Sequence, residues 1–320
     1  IVTGGSANLF RIETADQPLL LKVFQPNFSE EHVQREPELV AFLHQHSLPV
    51  ATHIPTNTGD YVWNFRDRLF HLQHCIQGDS YTNNTAPDWL LTESALQLGR
   101  LHKCLRQYRP LPQAMEITTA GFQAAVENKI AQYQQLIARA ETVSDAGIKA
   151  RILGDLHDKI AMIPHAAWGA VDHAGLTSGN THGDYNIRQF ICGPSTILAV
   201  IDFSSACSLP YVWEIIRSYA QSDPACADGS LIADNLRAYL SSYLSTGATL
   251  TQEDLRQMPY LYYIQLVRSC YGYHQYLIDR IENGELMTFA FWRTAMCRWL
   301  YGNVDDLSSY LVGEFCTCTT

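Results

Sequence analysis

Two aspartates near the middle of the chain stand at the ends of short apolar segments. Asp184 closes the tripeptide His182-Gly183-Asp184, and Asp202 follows the apolar run 196–201. Glycine and proline bound these segments, and short apolar runs bounded in this way are typical of buried strands. The pattern predicts a hairpin that carries one carboxylate before its first strand and one after its second. Two such carboxylates can divide a task, one accepting a proton and the other binding a magnesium ion.

The tripeptide alone is also compatible with an ordinary polar turn or a fragment of a metal site. The order of motifs is more specific, because the segment 182–203 resembles the catalytic loop and metal-binding strand of the aminoglycoside phosphotransferase and choline kinase family. Members of that family have His-Gly-Asp, four residues, Asn, and then a hairpin leading to Ile-Asp-Phe or Ile-Asp-Trp. This chain has Ile201-Asp202-Phe203 at the expected separation, but Gln189 stands where the family has Asn.

The resemblance implies a role for each of these side chains. Asp184 is the candidate catalytic base for an acceptor hydroxyl, and His182 is expected to shape the loop by hydrogen bonding. Asp202 is the candidate principal Mg²⁺ ligand and Gln189 the second. A glutamine amide oxygen lies one methylene further out than that of asparagine, which leaves the metal count open because Mg²⁺ requires near-octahedral geometry. Asn186 lies too close to Asp184 to be the missing ligand and is expected to face the phosphate or the substrate.

Phosphoryl transfer also requires a cradle for the nucleotide phosphates and a cation that contacts them. The glycine-rich turn Gly4-Gly5-Ser6 is the candidate cradle, although a plain hairpin turn fits the same residues. Lys22 interrupts the apolar run 19–24. Strand alternation alone places this lysine on a solvated face, whereas the resemblance implies that it contacts the phosphates of ATP.

A buried ammonium requires a carboxylate partner, because an unpaired buried charge is costly. Glu36 is the expected partner of Lys22, since the segment 36–43 resembles the family's helix after the lysine strand. Glu38 is the alternative, because Pro37 interrupts the helical pattern next to Glu36.

The segment 73–76 resembles the connector whose backbone meets the adenine ring in the family. His74, Cys75 and Ile76 are therefore candidate nucleotide-binding residues. An edge strand followed by a loop is the alternative interpretation of the same residues.

The elements around these residues, together with the resemblance, imply an α+β, protein-kinase-like fold of two lobes. Residues 1–78 are expected to form a nucleotide-binding β lobe with native residues missing before Ile1, and residues 79–320 a mainly helical lobe with the catalytic loop and the acceptor site. The predicted strands of the first lobe cover 10–14, 19–24, 61–65 and 68–76, and the predicted helices cover 29–46, 87–108, 122–140, 148–163, 211–221, 231–244, 252–283 and 289–311.

The last third of the chain is rich in aromatic residues, most of which are expected in a core because of their helical spacing. Some of them are candidates for an acceptor pocket, with Asp279, Glu282 or Glu285 at its rim, that binds a cationic group by cation–π contact. These aromatic residues are Tyr260, Tyr262, Tyr263, Tyr271, Tyr273, Tyr276, Phe289, Phe291, Trp292 and Trp299. Glu214 either braces the catalytic loop or lies on a helix surface.

Composition and charge limit the classes of partner. The chain is 47% hydrophobic and 17% charged, as expected for a folded protein, and its net charge of −10 argues against a nucleic-acid or anionic-membrane surface. The acidic balance suits a neutral or cationic small substrate, or solubility alone. Nine cysteines without metal-ligand spacing indicate reduced thiols in the cytoplasm. The oligomeric state is left open.

The function implied by the resemblance is ATP-dependent, Mg²⁺-dependent phosphorylation of a hydroxyl on a small molecule: an aminoglycoside, choline or ethanolamine, homoserine, or a sugar. GTP in place of ATP is left open. Gln189 motivates one alternative, a nucleotide-binding pseudokinase with weak or no catalysis. A metal-dependent phosphoesterase is a further alternative, but that chemistry requires clustered ligands, and His165 and His173 are not arranged in such a cluster.

Overall fold

The computed structural model of the chain describes residues 7–114, 126–165 and 175–316. The candidate phosphate cradle Gly4-Gly5-Ser6 lies outside these residues, as do His173 and the start of the helix predicted from residue 122. The described residues combine a small antiparallel sheet with many helices, so the expected α+β class is confirmed.

An antiparallel sheet with one helix after its second strand forms the first part of the chain. Its strands are β1 (Ala7–Ile12), β2 (Leu19–Phe24), β3 (His53–Ile54), β4 (Trp63–Phe65) and β5 (Arg68–His74), paired in the order β1-β2-β5-β3 with β4 also on β5. Helix α1 (Glu30–Gln45) follows β2. Its N-cap Ser29 accepts a hydrogen bond from the His32 N–H, and Pro37 lies inside the helix without ending it.

The register of the sheet places three polar residues on one face. Lys22 on β2 lies directly opposite His71 on β5, and His53 on β3 lies opposite Gln73. Side chains two residues apart on a strand share a face, so His71 and Gln73 point to the same side. Lys22, His71 and His53 are therefore neighbours on a single face.

The middle of the chain forms the expected hairpin and a second short strand pair. Strands β7 (Phe190–Cys192) and β8 (Ile197–Val200) pair with Phe190 opposite Val200, and both of these side chains are buried. Strand β6 (Ser178–Thr181) pairs with β9 (Cys207–Pro210), a pair that the sequence patterns did not predict.

The remaining elements are helices, and none of them in the described part of the chain is long and apolar enough to cross a membrane. They are α2 (Asp88–Leu105), α3 (Val126–Ala140), α4 (Ala146–Met162), α5 (Tyr211–Ser222), α6 (Ala233–Ser245), α7 (Gln252–Arg268), α8 (Tyr273–Leu277) and α9 (Gly284–Cys316). The single helical segment expected over 252–283 is thus two helices, because α7 ends at its C-cap Ser269, which has an extended backbone.

The chain divides into two compact units. The first comprises Ile1–Gln113, Gly179–Leu209 and Ser242–Ala248, and the second comprises Ala114–Ser178, Pro210–Ser241 and Thr249–Thr320. The hairpin β7–β8 thus belongs to the same unit as the sheet β1–β5. The expected lobe boundary after residue 78 stays a prediction.

Candidate active site

One lysine and two carboxylates form a charged centre in the first unit. The Nζ atom of Lys22 lies 2.9 Å from Oε2 of Glu36 and 3.0 Å from Oδ1 of Asp202. The side chains of Lys22 and Glu36 are 8% and 5% exposed, whereas that of Asp202 is 45% exposed. The ion pair expected between Lys22 and Glu36 is present, and Glu38 instead contacts Arg109 at the surface.

The electrostatics of this centre keep both members of the buried pair charged. Burial lowers the pKa of Lys22, but the nearby charges of Glu36 and Asp202 outweigh that effect, and the pKa lies above its ordinary value. Burial raises the pKa of Glu36, but Lys22 and hydrogen bonding to His71 hold it well below its ordinary value. A permanently charged lysine aligned by a glutamate can bind phosphate oxygens.

Two histidines that the sequence patterns did not single out lie beside Glu36. Nε2 of His71 is 3.3 Å from Oε2 of Glu36, and the rings of His71 and His53 meet at 4.5 Å between centroids. Burial, followed by the charge of His71, lowers the pKa of His53 to about 3, so His53 is neutral at physiological pH. The pairing of β3 with β5 brings these two histidines together, and no local sequence pattern predicts this pairing.

The backbone of Asp202 turns sharply after β8. Its φ of 60° lies in the left-handed region, which aspartate tolerates better than most non-glycine residues. A short 3₁₀ turn, Phe203–Ser205, follows, and the Ser204 hydroxyl donates to Oδ1 of Asp202 at 2.7 Å. Oδ1 thus accepts from both Ser204 and Lys22, and the described residues donate no hydrogen bond to Oδ2. The half-exposed carboxylate therefore has an oxygen that can bind a cation.

The histidine of the tripeptide fixes the backbone of the candidate catalytic loop. His182 is fully buried, and its Nε2–H donates to the carbonyl of Ile201 at 2.9 Å. Its Nδ1 then accepts the backbone N–H of Asp184 at 3.2 Å. One imidazole thereby ties the backbone of Asp184 to the residue that precedes Asp202, which agrees with the expected loop-shaping role.

The glycine of the tripeptide is required by backbone geometry. Gly183 has φ +79°, and a Cβ atom at this position would lie 1.9 Å from the carbonyl oxygen of Ser205. A side chain would therefore need both an unfavourable conformation and displacement of the turn that follows Asp202.

Gln189 contacts the candidate catalytic base. It ends the 3₁₀ turn Ile187–Gln189, and its Nε2 donates to Oδ2 of Asp184 at 2.9 Å. Asn186 is buried and bonds only backbone: its Nδ2 donates to the Asp184 carbonyl, and its Oδ1 accepts the Arg188 N–H. Asn186 thus caps the turn that carries Gln189, and the expectation that it faces phosphate or substrate stays a prediction.

The donor set around this loop fits Mg²⁺. The carboxylates of Asp202 and Asp184 and the amide oxygen of Gln189 are hard oxygen ligands of the kind that Mg²⁺ prefers. Because Gln189 directs its nitrogen to Asp184, Oε1 is the atom that it can offer to a metal ion. The metal-binding roles of Asp202 and Gln189 stay predictions.

The candidate adenine connector begins with His74, the last residue of strand β5. The His74 N–H donates to the Thr52 carbonyl at 2.9 Å, and the Cys75 N–H donates to the Pro18 carbonyl at 3.1 Å. Both groups are thus engaged in the sheet, whereas the Ile76 N–H forms no hydrogen bond among the described residues. Backbone recognition of a purine would accordingly use the Ile76 N–H or the carbonyl groups of the connector.

Glu214 and the aromatic residues of the second unit lie in environments that bear on two of the expectations. Glu214 is completely buried on α5, so the alternative of a surface glutamate is wrong. The guanidinium carbon of Arg293 lies 5.9 Å from the ring centroid of Tyr271 and 5.6 Å from that of Phe289. A cation from the protein itself thus contacts two of the aromatic rings that were candidates for binding a cationic acceptor.

Comparisons with known proteins address the family and the fold. The model of the phosphotransferase enzyme family matches residues 1–250. A comparison with curated proteins finds no match.

Solved structures include several folds similar to this chain. Amicoumacin kinase, in complex with AMP-PNP, Ca²⁺ and Ami, has a TM-score of 0.61 and 14% identity over 95% of this chain and 87% of that one. Spectinomycin phosphotransferase, in complex with ADP and spectinomycin, has a TM-score of 0.60 and 12% identity over 95% and 92%. Choline kinase LicA from Streptococcus pneumoniae has a TM-score of 0.55 and 12% identity over 94% and 92%. At these identities the likeness concerns the fold, and the expected protein-kinase-like fold is confirmed.

Proposed function

Because the chain belongs to the phosphotransferase enzyme family, we propose that it transfers the γ-phosphate of ATP to a hydroxyl group of a small molecule. The observation that carries this proposal is the charged centre in which Lys22 contacts both Glu36 and Asp202. A buried ion pair next to a half-exposed carboxylate is suited to a phosphate-binding lysine beside a metal-binding aspartate. The tripeptide loop with Asp184 supplies the remaining group, a base for the hydroxyl.

Each side chain has a distinct part in the proposed reaction. Glu36 holds the ammonium of Lys22 in place so that it contacts phosphate oxygens without reorganisation. Asp184 orients the acceptor hydroxyl and accepts its proton, while His182 keeps the backbone of this loop fixed. Asp202 and Oε1 of Gln189 would hold Mg²⁺, which would supply positive charge to neutralise the phosphates of the nucleotide.

The acceptor belongs to one of four proposed classes: aminoglycosides, choline or ethanolamine, homoserine, and sugars. The similar structures are named for amicoumacin, spectinomycin and choline, which supports a small hydroxylated acceptor as a class. Because Arg293 already contacts Tyr271 and Phe289, a cationic acceptor would be recognised by other residues than these two rings.

The hydrogen bond from Gln189 to Asp184 favours a second candidate, a nucleotide-binding protein with weak catalysis. This bond occupies Oδ2 of the proposed base. The Gln189 amide thereby takes a position on Oδ2 from which an acceptor hydroxyl would otherwise donate its own hydrogen bond.

A nucleotide-consumption screen tests the proposal. Purified protein is incubated with Mg²⁺ and either ATP or GTP in the presence of amino alcohols, aminoglycosides, amino acids and sugars, with Asp184→Asn as the matched control. We expect ATP consumption that depends on one acceptor class and is abolished in the control. Binding of ATP without consumption across all acceptors would favour the weak-catalysis candidate, and phosphate release from phosphate esters without nucleotide would favour a phosphoesterase.

A further inference from the structure

A cluster of three potential metal ligands lies buried behind the charged centre. Glu36, His53 and His71 are 4%, 8% and 2% exposed, and one ligand atom from each lies within 4.8 Å of the others. The cluster arises from register, because Lys22 pairs with His71 across β2 and β5 while His53 on β3 pairs with Gln73, two residues further along β5. Glu36 comes from helix α1.

Three of the four imidazole nitrogens of this cluster have no hydrogen-bond partner among the described residues. Neither Nδ1 nor Nε2 of His53 forms a hydrogen bond with the described residues, and neither does Nδ1 of His71. A neutral imidazole has one donor and one acceptor, and a buried polar group left without a hydrogen bond destabilises the folded protein. A histidine retained for packing alone would normally be hydrogen-bonded. His53, more than nine-tenths buried with both nitrogens unsatisfied, therefore indicates a ligand.

The separations within the cluster suit a tetrahedral metal ion. Nε2 of His71 lies 3.3 Å from Oε2 of Glu36, at the long end of the range of hydrogen-bond distances. Ligand atoms bonded to Zn²⁺ at about 2.0–2.1 Å in a tetrahedron lie roughly 3.3–3.4 Å apart. The Glu36–His71 separation already has this value, and the ligand atom of His53 lies within 4.8 Å of those of Glu36 and His71.

We propose that Glu36, His53 and His71 form a Zn²⁺ site. Two imidazole nitrogens and one carboxylate oxygen are borderline ligands that suit Zn²⁺, whereas Mg²⁺ and Ca²⁺ require six or more oxygens. The site has three protein ligands, which leaves a fourth position for water. The adjacent charges favour a cation, because Glu36 and Asp202 together outweigh the single positive charge of Lys22.

Zn²⁺ at this site would oppose nucleotide binding. Oε2 of Glu36, which lies 3.3 Å from His71, is the same oxygen that contacts Lys22 at 2.9 Å. A metal ion bonded to that oxygen competes with the ammonium and repels it, so Lys22 is no longer held in place for the phosphates. This coupling rests on the proposed function, whereas the existence of the metal site does not. Coupling between two ligands is reciprocal, so nucleotide would weaken Zn²⁺ binding by the same factor.

Metal titration of the nucleotide-free protein tests the site. Zn²⁺ binding is measured by calorimetry for wild type, for His53→Phe and for the control His44→Phe, whose histidine is exposed on helix α1 and lies outside the cluster. We expect one equivalent of Zn²⁺ to bind to the wild type and the control and to be lost in His53→Phe. Wild type that binds no Zn²⁺, or His53→Phe that binds it equally well, overturns the proposal.

Two further measurements, thermal melting of His53→Phe and the spectrum of Co²⁺-loaded wild type, show whether loss of Zn²⁺ binding could result from misfolding of the variant. Phenylalanine keeps the ring contact with His71 and removes the unsatisfied nitrogens, so His53→Phe should melt no lower than wild type. The visible spectrum of Co²⁺-loaded wild type needs no variant: bands of a tetrahedral nitrogen–oxygen site are expected, and a thiolate charge-transfer band would place the metal on cysteine instead and overturn the proposal.

The coupling is tested by binding of AMP-PNP and Mg²⁺ with and without one equivalent of Zn²⁺. For wild type we expect Zn²⁺ to weaken the binding of AMP-PNP roughly tenfold, and for His53→Phe we expect Zn²⁺ to leave that binding unchanged. Equal binding in wild type overturns the coupling. Failure of the acceptor screen would refute the proposed transfer reaction and leave the Zn²⁺ titration unaffected, so the two proposals fail separately.

Discussion

The two carboxylates that contact Lys22 differ in exposure, and this difference suggests how they share the lysine. Glu36 is 5% exposed and permanently charged, so its separation from the ammonium would leave a buried charge unpaired. Asp202 is 45% exposed, and water or a metal ion can replace the ammonium as its partner at little cost. Glu36 is thus suited to hold Lys22 in place, whereas Asp202 is suited to give up its contact with Lys22 and bind a metal cation.

Replacement of Glu36 tests this division at the level of single residues. Glu36→Gln keeps the shape of the side chain but removes the charge that holds Lys22 and the strong acceptor for His71. We expect weaker ATP binding, measured as a rise in KM for ATP of at least about tenfold, which corresponds to roughly 1.4 kcal/mol. Glu38→Gln is the matched control, because Glu38 contacts Arg109 at the surface and should leave KM unchanged. Equal effects of both substitutions would contradict the role of Glu36.

Substitutions of Gln189 test whether the chain is an active kinase or a pseudokinase. Gln189→Ala removes both the hydrogen bond to Asp184 and the proposed metal ligand, so we expect a higher Mg²⁺ requirement and a lower kcat, by about 10²-fold. Gln189→Asn should preserve or improve kcat, because the shorter side chain restores the amide of the family pattern. Mg²⁺ titrations of kcat for the three proteins check this. If both variants match the parent at every Mg²⁺ concentration, Gln189 is not a ligand.

The residues of the charged centre could be predicted from the sequence, but their surroundings could not. Lys22, Glu36 and Asp202 each stand in a local motif whose spacing carries over into the structure. His53 and His71 carry no such motif, since only the pairing of a two-residue strand brings them together. The capping role of Asn186 depends on a turn that the sequence patterns did not reveal.

Among the elements, the loop between β6 and β7 depends on a glycine. A side chain at Gly183 requires an unfavourable φ, which costs about 1–3 kcal/mol, and also displacement of the Ser205 carbonyl. We expect Gly183→Ala to lower the free energy of unfolding by more than about 2 kcal/mol and to abolish transfer. Gly193→Ala is the control, because the nearest atoms to a Cβ there lie at 3.5 Å in ordinary contact. Urea unfolding of both variants distinguishes strain from a general intolerance of alanine.

A buried lysine caps the end of helix α7 in the second unit. Nζ of Lys159 donates to the carbonyls of Leu266 and Ser269 at 2.6 and 2.9 Å, where a positive charge also favours the helix dipole. Burial lowers the pKa of Lys159 from 10.5 to about 8. Between these values the unfolded chain binds one more proton than the folded chain, so this lysine makes stability rise with pH.

Lys159→Met isolates that contribution. At pH 7 we expect the variant to be less stable by roughly 2–4 kcal/mol, because two charge-assisted hydrogen bonds are lost. From pH 8 to 10.5 the stability advantage of the wild type over the variant should grow, with a slope of at most about 1.4 kcal/mol per pH unit. Urea unfolding at several pH values measures this difference. A constant difference over the window would mean that Lys159 does not titrate there.

The elements with strong periodicity were predicted well, and those without it were not. The predicted strand 19–24 and the predicted helix 211–221 agree with β2 and α5 to within one residue. Strand β3 has only two residues and β6 has the polar sequence Ser-Gly-Asn-Thr, so neither shows alternation of apolar side chains. Tertiary pairing alone defines these strands.

At the scale of the whole molecule, the candidate nucleotide and metal residues fall within a single compact unit even though they are far apart in the chain. Those in the described part of the chain are Lys22, Glu36, His74, Cys75, Ile76, Gln189 and Asp202. The first unit is assembled from three segments of the chain, and the segment Gly179–Leu209 brings the hairpin to the sheet. Nucleotide binding should therefore stabilise segments that are distant in sequence together.

Hydrogen exchange with bound AMP-PNP and Mg²⁺ tests this distribution. A bound ligand slows exchange most at amides that exchange only when the binding site opens locally. We therefore expect slower exchange in β2, in the connector at the end of β5 and across residues 187–203. Exchange rates in helices α7 and α9 of the second unit should change less, since none of the candidate nucleotide-binding residues lies on these helices. AMP-PNP without Mg²⁺ is the control. It should slow exchange in β2 and the connector, whereas residues 187–203 should exchange at rates closer to those of the ligand-free protein. Protection confined to α7 and α9 would show that the nucleotide binds elsewhere and that the charged centre at Lys22 is structural.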